Sequence, residues 1–158
     1  MRFIIFLFLF ASFQSFSQDR MPNLIVKDLQ NKPVHINKDF NEVDKIYIFS
    51  FWATWCAPCI SELEAINEHY AKWSEELNME LIAVSTDDSR TQRRVRPLLN
   101  GKNWPYQVLM DTNQDLKRAL SIVNIPYMVV VKNQKIELIF NGYTQGAEEK
   151  LYQSLKTL

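Results

Sequence analysis

Residues Ile46 to Trp52 read Ile-Tyr-Ile-Phe-Ser-Phe-Trp, and a few residues later the chain reaches Cys56-Ala57-Pro58-Cys59. An apolar run this continuous suits a strand buried on both faces. A helical stretch is predicted next, from Ala57 to Leu77. The cysteine pair therefore falls at the junction between a core strand and the start of a helix.

The rest of the chain repeats that alternation. Leu24 to Asp28 and Val34 to Ile36 read as short strands around the turn at Gln30-Asn31-Lys32. Met79 to Ser85 is a second buried strand, followed by Thr86-Asp87-Asp88-Ser89, where Asp87 and Asp88 read as caps for a helix from Arg90 to Leu99 closed by Gly101. Tyr106 to Met110, Tyr127 to Lys132 and Ile136 to Phe140 complete the strands, the last two joined by a tight turn at Asn133-Gln134. Gln114 to Ser121 and Ala147 to Lys156 read as helices. Strands alternating with helices, then a hairpin and a closing helix, predict one α/β domain around a central mixed sheet flanked by helices, with an N-terminal β-hairpin extension.

The first residues follow a different logic. Met1-Arg2 carries a positive charge, Phe3 to Phe10 is unbroken Phe, Ile and Leu, and Ala11 to Ser17 turns small and polar. These are the parts of a secretory signal peptide at residues 1–17, leaving a domain at 18–158. Phe3 to Phe16 is shorter than the roughly 18 residues a membrane span needs, so no stable membrane insertion is expected after cleavage. No cysteine near the cut offers a lipid attachment point. The expected location is periplasmic or otherwise extracytoplasmic. With 18 basic and 18 acidic residues, no net field favours a nucleic acid partner.

Export places paired cysteines in an oxidising compartment, where they usually become staples. A bridge between residues three apart closes a tiny loop and removes little chain entropy, so this pair is better suited to reaction. At a helix start, free N–H groups and the positive dipole end lower a thiol pKa. The thiolate is the species that attacks disulfides. Pro58 fits the first helical turn because its missing N–H would lack a partner there. Cys56 is the expected nucleophile and Cys59, one turn deeper, the resolving thiol.

On a helical wheel of about 100° per residue, Leu63, Ile66, Tyr70, Trp73 and Leu77 cluster near Cys59, while Glu64, Glu68 and Glu75 lie opposite. Cys59 should be buried and Cys56 accessible. Glu62 is the helix carboxyl nearest the buried stripe. A half-buried carboxyl should have a raised pKa and could exchange a proton with Cys59. Zinc is disfavoured, since it wants four ligands and only His35 and His69 accompany the cysteines, without paired spacing. No copper set is evident either. No cofactor and no metal is expected.

Phe51-Trp52-Ala53-Thr54-Trp55-Cys56-Ala57-Pro58-Cys59, Val84-Ser85-Thr86-Asp87-Asp88-Ser89 and Val123-Asn124-Ile125-Pro126 together resemble the thioredoxin superfamily, in its exported TlpA/ResA-like branch. The resemblance spans about Pro22 to Leu158. It implies a thioredoxin fold, a cis-proline at Pro126 facing the disulfide, and a partly buried glutamate at the position of Glu62. Cytosolic thioredoxins instead place an acid six residues before the first cysteine, where this chain has Ser50. A proline beside the cysteines, as Pro126 would be, offers no N–H, while the exposed backbone of Ile125 can pair with an extended client segment. Trp55, Ala57, Pro58 and Ile125 are the expected client-contacting residues, whereas Trp52 reads as core.

The enzyme so implied exchanges or reduces disulfides in exported client proteins, fed by a membrane-bound thiol electron donor, and is expected to be a monomer. Cytochrome c maturation is one such task, though Tyr127 follows Pro126 where the CcmG-type proteins carry an acid. A DsbA-type oxidant would need a large helical insertion that does not fit here. A peroxiredoxin would need threonine where Ala53 stands. The alternative from another class is a non-catalytic thioredoxin-fold module for binding or metal delivery.

Overall fold

A computed structural model describes residues 19–158; the expected leader at 1–17 lies outside them. The elements run β1 (Ile25–Asp28), β2 (Pro33–His35), α1 (Ile36–Asp39), β3 (Ile46–Trp52), α2 (Ala57–Asn67), α3 (Tyr70–Glu76) and β4 (Met79–Ser85). A short 3₁₀ turn, Gln92–Arg94, leads into α4 (Val95–Asn100), followed by β5 (Gln107–Met110), α5 (Asp115–Ala119), β6 (Tyr127–Lys132), β7 (Lys135–Asn141) and α6 (Ala147–Leu155).

The strands form one seven-stranded sheet in the order β2-β1-β5-β4-β3-β6-β7. β3 lies parallel to β4 and antiparallel to β6, so the sheet is mixed, with β3 near its middle. The β1–β2 hairpin extends it by pairing with β5. All seven residues of β3 are buried, as a strand covered on both faces requires.

Alternation along β3 splits the core in two. Ile46, Ile48 and Trp52 pack toward Cys59, Leu63, Ile66, Trp73, Val95, Leu151 and Leu155, which belong to α2, α3, α4 and α6. Tyr47, Phe49 and Phe51 pack on the other face with Ile36, Phe40 and Leu116. Leu63 and Ile66 are fully buried, and each such side chain contributes about 1.5–3 kcal/mol of transfer free energy. Ser50 shares the parity of Ile48 and Trp52 and so faces the α2 side.

Three sequence expectations need correction. The predicted helix from Ala57 to Leu77 is two helices: His69 N–H donates back three residues to the Ile66 carbonyl, tightening the chain between α2 and α3. His69 then stacks on Trp73, and Trp73 on Tyr152 of α6. The break leaves the stripe intact, with Trp73 buried and Tyr70 and Leu77 packed against the core. The helix predicted from Arg90 becomes regular only at Val95, because Pro97 lacks an N–H and is tolerated only in a first turn. Asp88 does cap this segment, accepting from the Arg90 and Thr91 N–H groups at 2.9 and 3.2 Å. Asp87 does not. It is fully buried and points instead at the loop before Cys56.

The hairpin at Asn133-Gln134 places both residues in the left-handed region, at φ 51° and 68°, the conformation that matches the twist of the flanking strands.

Candidate active site

The site lies where β3, β4 and β6 end together. Phe51 is paired with Val84 on one side and Tyr127 on the other. The loop leaving β3 and the Pro126 segment entering β6 therefore meet at the same end of the sheet. The Ile125–Pro126 peptide is cis, and Pro126 is buried. Gly142 N–H donates to the Pro126 carbonyl at 2.9 Å, tying this segment to the end of β7. Ile125 is half-buried against the cluster that contains both cysteines.

Cys56 and Cys59 are joined as a disulfide with Cα atoms 5.3 Å apart. Cys56 occupies the N-cap of α2, with Ala57 and Pro58 as its first two residues. An N-cap side chain normally accepts from the second or third helical N–H. Pro58 has none, which leaves the Cys59 N–H as the donor able to face a Cys56 thiolate. Cys59 is wholly buried, as expected. Cys56 is more enclosed than its helix-start position suggests, at 5% exposed. The loop before it turns tightly, with Cys56 N–H donating to the Ala53 carbonyl at 3.0 Å. Its flanks are open, with Trp55 at 60% exposure and Ala57 and Pro58 exposed.

Asp87 holds that loop. Its carboxyl accepts from Thr54 N–H at 2.8 Å, the Thr54 hydroxyl at 2.6 Å and the Ser85 hydroxyl at 2.9 Å. Thr86 reinforces the clamp through its N–H and hydroxyl, both donated to the Trp52 carbonyl. Buried carboxyls are stable when their lone pairs are occupied in this way. Sequence reading missed this role, since an aspartate before a helix ordinarily caps it. The signal available was Thr54, a polar residue in an otherwise apolar loop.

Glu62 behaves oppositely. It is buried at 3% exposure in α2, deeper than the half-buried state expected. Burial pushes its carboxyl up to about 8, while the neighbouring Ser50 hydroxyl acts in the other direction. Among the described residues, neither Glu62 Oε2 nor Ser50 Oγ makes a hydrogen bond meeting normal distance and angle limits. A carboxyl held protonated near neutral pH can take part in proton transfer at the adjoining thiol.

Trp52 is fully buried and packs edge-on against Trp104 at 5.4 Å, which is the core role expected of it. His69 stacks on Trp73, and His35 ends β2. Val123, in the loop that carries Pro126, is 79% exposed and is a further apolar side chain on this surface that sequence reading passed over.

Comparison with known proteins agrees with this arrangement. The profile of the AhpC/TSA family matches residues 17–139. A thiol-disulfide oxidoreductase ResA of Bacillus thuringiensis subsp. konkukian is 28% identical over 138 residues, 87% of this chain and 75% of the relative. The solution structure of a thioredoxin-like protein from Porphyromonas gingivalis superposes with a TM-score of 0.76 at 41% identity, covering 87% of this chain and 90% of that one. StoA from Bacillus subtilis shares the fold, with a TM-score of 0.65 at 21% identity over 82% of this chain and 95% of its own. The thioredoxin-like fold expected from the sequence is therefore the fold observed, and the chain belongs to the AhpC/TSA family.

Proposed function

We propose that the protein is an exported thiol–disulfide oxidoreductase that reduces or exchanges disulfides in extracytoplasmic client proteins. The observation that carries this reading is a single Cys56–Cys59 disulfide whose first cysteine sits at a helix N-cap and whose second is sealed beneath it.

In the reduced protein the Cys56 thiolate, stabilised by the helix end, attacks one sulfur of a client disulfide. A Cys56–client bond forms, and the other client sulfur leaves as a thiolate. Cys59 then loses its proton and attacks the Cys56 sulfur. This breaks the mixed disulfide, releases the second client thiolate and closes the Cys56–Cys59 bond. Two electrons pass from the protein to the client. A thiol electron donor, expected at the membrane, must return them.

Glu62 is assigned to the second step: in its ionised form it accepts the Cys59 proton in this direction, and in its protonated form it returns one when the disulfide is reopened. Trp55, Ala57 and Pro58 offer an exposed surface beside the reacting sulfur, and the backbone of Ile125, preceding Pro126, can pair with an extended client segment. Relatives named ResA support this assignment of chemistry. Work on exported clients rests on the apolar leader at residues 1–17.

The direct test is dithiol-driven insulin reduction, followed by turbidity. The wild-type chain should accelerate precipitation and Cys56→Ser should not. Equal rates for the two would favour a non-catalytic binding module. Equilibration with glutathione then gives the reduction potential, and hence the working direction, because about 30 mV is a tenfold change in the two-electron equilibrium.

A further inference from the structure

Behind Pro126, between α2, the end of β7 and the start of α6, lies a small cavity of about 30 Å³. That is room for one or two water molecules. Its walls are mostly apolar, with Ile66, Met128 and Phe140 among them, but three ionisable side chains line or edge it: Glu62, Tyr143 and Glu148. Glu62 enters from the core side, buried, with Oε2 unpartnered among the described residues. Tyr143 and Glu148 stand on the opposite side, both half-exposed. The Tyr143 hydroxyl donates to Glu148 Oε2 at 3.1 Å, and the Gly146 N–H donates to the same oxygen at 3.1 Å.

The chemistry assigned to Glu62 creates a need that this cavity meets. Held protonated near neutral pH, Glu62 must lose its own proton before it can take the one from Cys59, and its carboxyl is sealed from bulk solvent. An apolar wall offers it no path. A water bounded by a carboxyl on one side and a hydroxyl–carboxylate pair on the other has the two to four polar partners that a buried water requires.

We propose that Glu148, held in place by Tyr143, relays protons between Glu62 and bulk water across this cavity, making it the outer half of the proton path that serves Cys59. The step moves no electrons. The O–H bond of the Glu62 carboxyl breaks as one forms on the cavity water, and that water gives up a proton to the Glu148 carboxylate, from which solvent removes it. Neither Glu148 nor Tyr143 touches a reacting sulfur. Both act through Glu62, so the inference rests on the reading of Glu62 given above.

The plainer account makes Glu148 only a helix-start acid, bonded to Gly146 N–H at the N-cap of α6. The two accounts part on kinetics. Glu148→Gln keeps an oxygen able to accept from Tyr143 and Gly146, so α6 should stay capped, but an amide cannot carry the proton onward. Ala147→Leu is an independent second variant, because residue 147 lines the cavity and the larger side chain fills it.

The measurement is a stopped-flow infrared pH jump on the reduced full-length protein, following the carboxylic C=O band that disappears in Glu62→Gln. In wild type, a jump from about pH 6 to about pH 9 should empty this band quickly. In Glu148→Gln with Tyr143→Phe, and separately in Ala147→Leu, emptying should slow by about tenfold or more with the final amplitude unchanged. Equal rates in wild type and in both variants would overturn the relay and return Glu148 to a capping role. Absence of any Glu62-dependent band in wild type at pH 6 would remove the premise, and the assignment of Glu62 with it.

Discussion

Two buried carboxyls belong to the elements that carry the disulfide, Asp87 bonded to the loop before Cys56 and Glu62 in the helix of Cys59, and they are built in opposite ways. On the β4 side, Asp87 accepts three hydrogen bonds from Thr54 and Ser85. On the α2 side, Glu62 leaves an oxygen without a partner among the described residues and lines a water-sized cavity. A fully satisfied buried acid is a clamp, since removing it strands several donors at once. An unsatisfied one is costly to stability and is retained where its protonation is useful. The contrast gives the loop that presents Cys56 its rigidity, and it is the basis on which we propose proton chemistry for the helix that carries Cys59.

The largest effect should come from attacking the clamp. Asp87→Ala leaves the Thr54 N–H and hydroxyl and the Ser85 hydroxyl unpaired, and should cost about 3 kcal/mol in urea unfolding of the oxidised protein. Asp87→Asn, which keeps one acceptor, should cost less. A loss below about 0.5 kcal/mol in Asp87→Ala would mean that the loop is held by other contacts and the comparison is wrong.

Glu62→Gln should do the reverse. The fold survives, and the rate at which Cys59 resolves a Cys56 mixed disulfide should fall about 10- to 100-fold near neutral pH, read by stopped-flow release of a labelled peptide. Unchanged rate–pH profiles from about pH 5 to about pH 9 would discard the proton role.

Stability against pH sharpens the same point at smaller scale. Glu62 is raised from 4.5 to about 8 by burial. Between those values the unfolded chain gives up this proton while the folded protein keeps it. The folded state binds more protons there, so its stability declines as pH rises, by up to about 1.4 kcal/mol per pH unit from this group. Below the window the group is protonated in both states, and above it ionised in both, so its contribution is flat. Denaturant titrations at several pH values should show a steeper decline in wild type than in Glu62→Gln. Parallel curves would place the Glu62 carboxyl in water.

The smallest effect lies on the exposed apolar side chains of the loops that lead to Cys56 and to Pro126. Trp55→Ala and Val123→Ser, each at an exposed apolar position, should raise KM for a peptide disulfide several-fold with little change in kcat. That pattern is the one expected when binding is lost equally from the ground and transition states. A fall in kcat with unchanged KM would instead place these side chains in the chemical step.

Much of this site was legible in the chain. The strands Ile46–Trp52, Met79–Ser85 and Tyr127–Lys132 occupy the limits their apolar runs predict, because a strand buried on both faces is apolar along most of its length. The cysteine pair at a strand–helix junction follows from those runs and from Pro58, and the burial of Cys59 from its place on the helical stripe. Weaker patterns were read less well. The helix through Glu68 lacks any glycine or proline to announce its break, and the turn there is decided by aromatic packing of His69, Trp73 and Tyr152.

What only the tertiary structure decided is the partnership of polar groups far apart in sequence. Thr54 meets Asp87, Ser50 lies beside Glu62, and Glu62 shares a cavity with Tyr143 and Glu148. Periodicity tells which side of a helix or strand a residue occupies, since that depends on its own neighbours in the chain. Whether a buried carboxyl finds donors or an empty space depends on which other elements fold against it, and no local pattern records that.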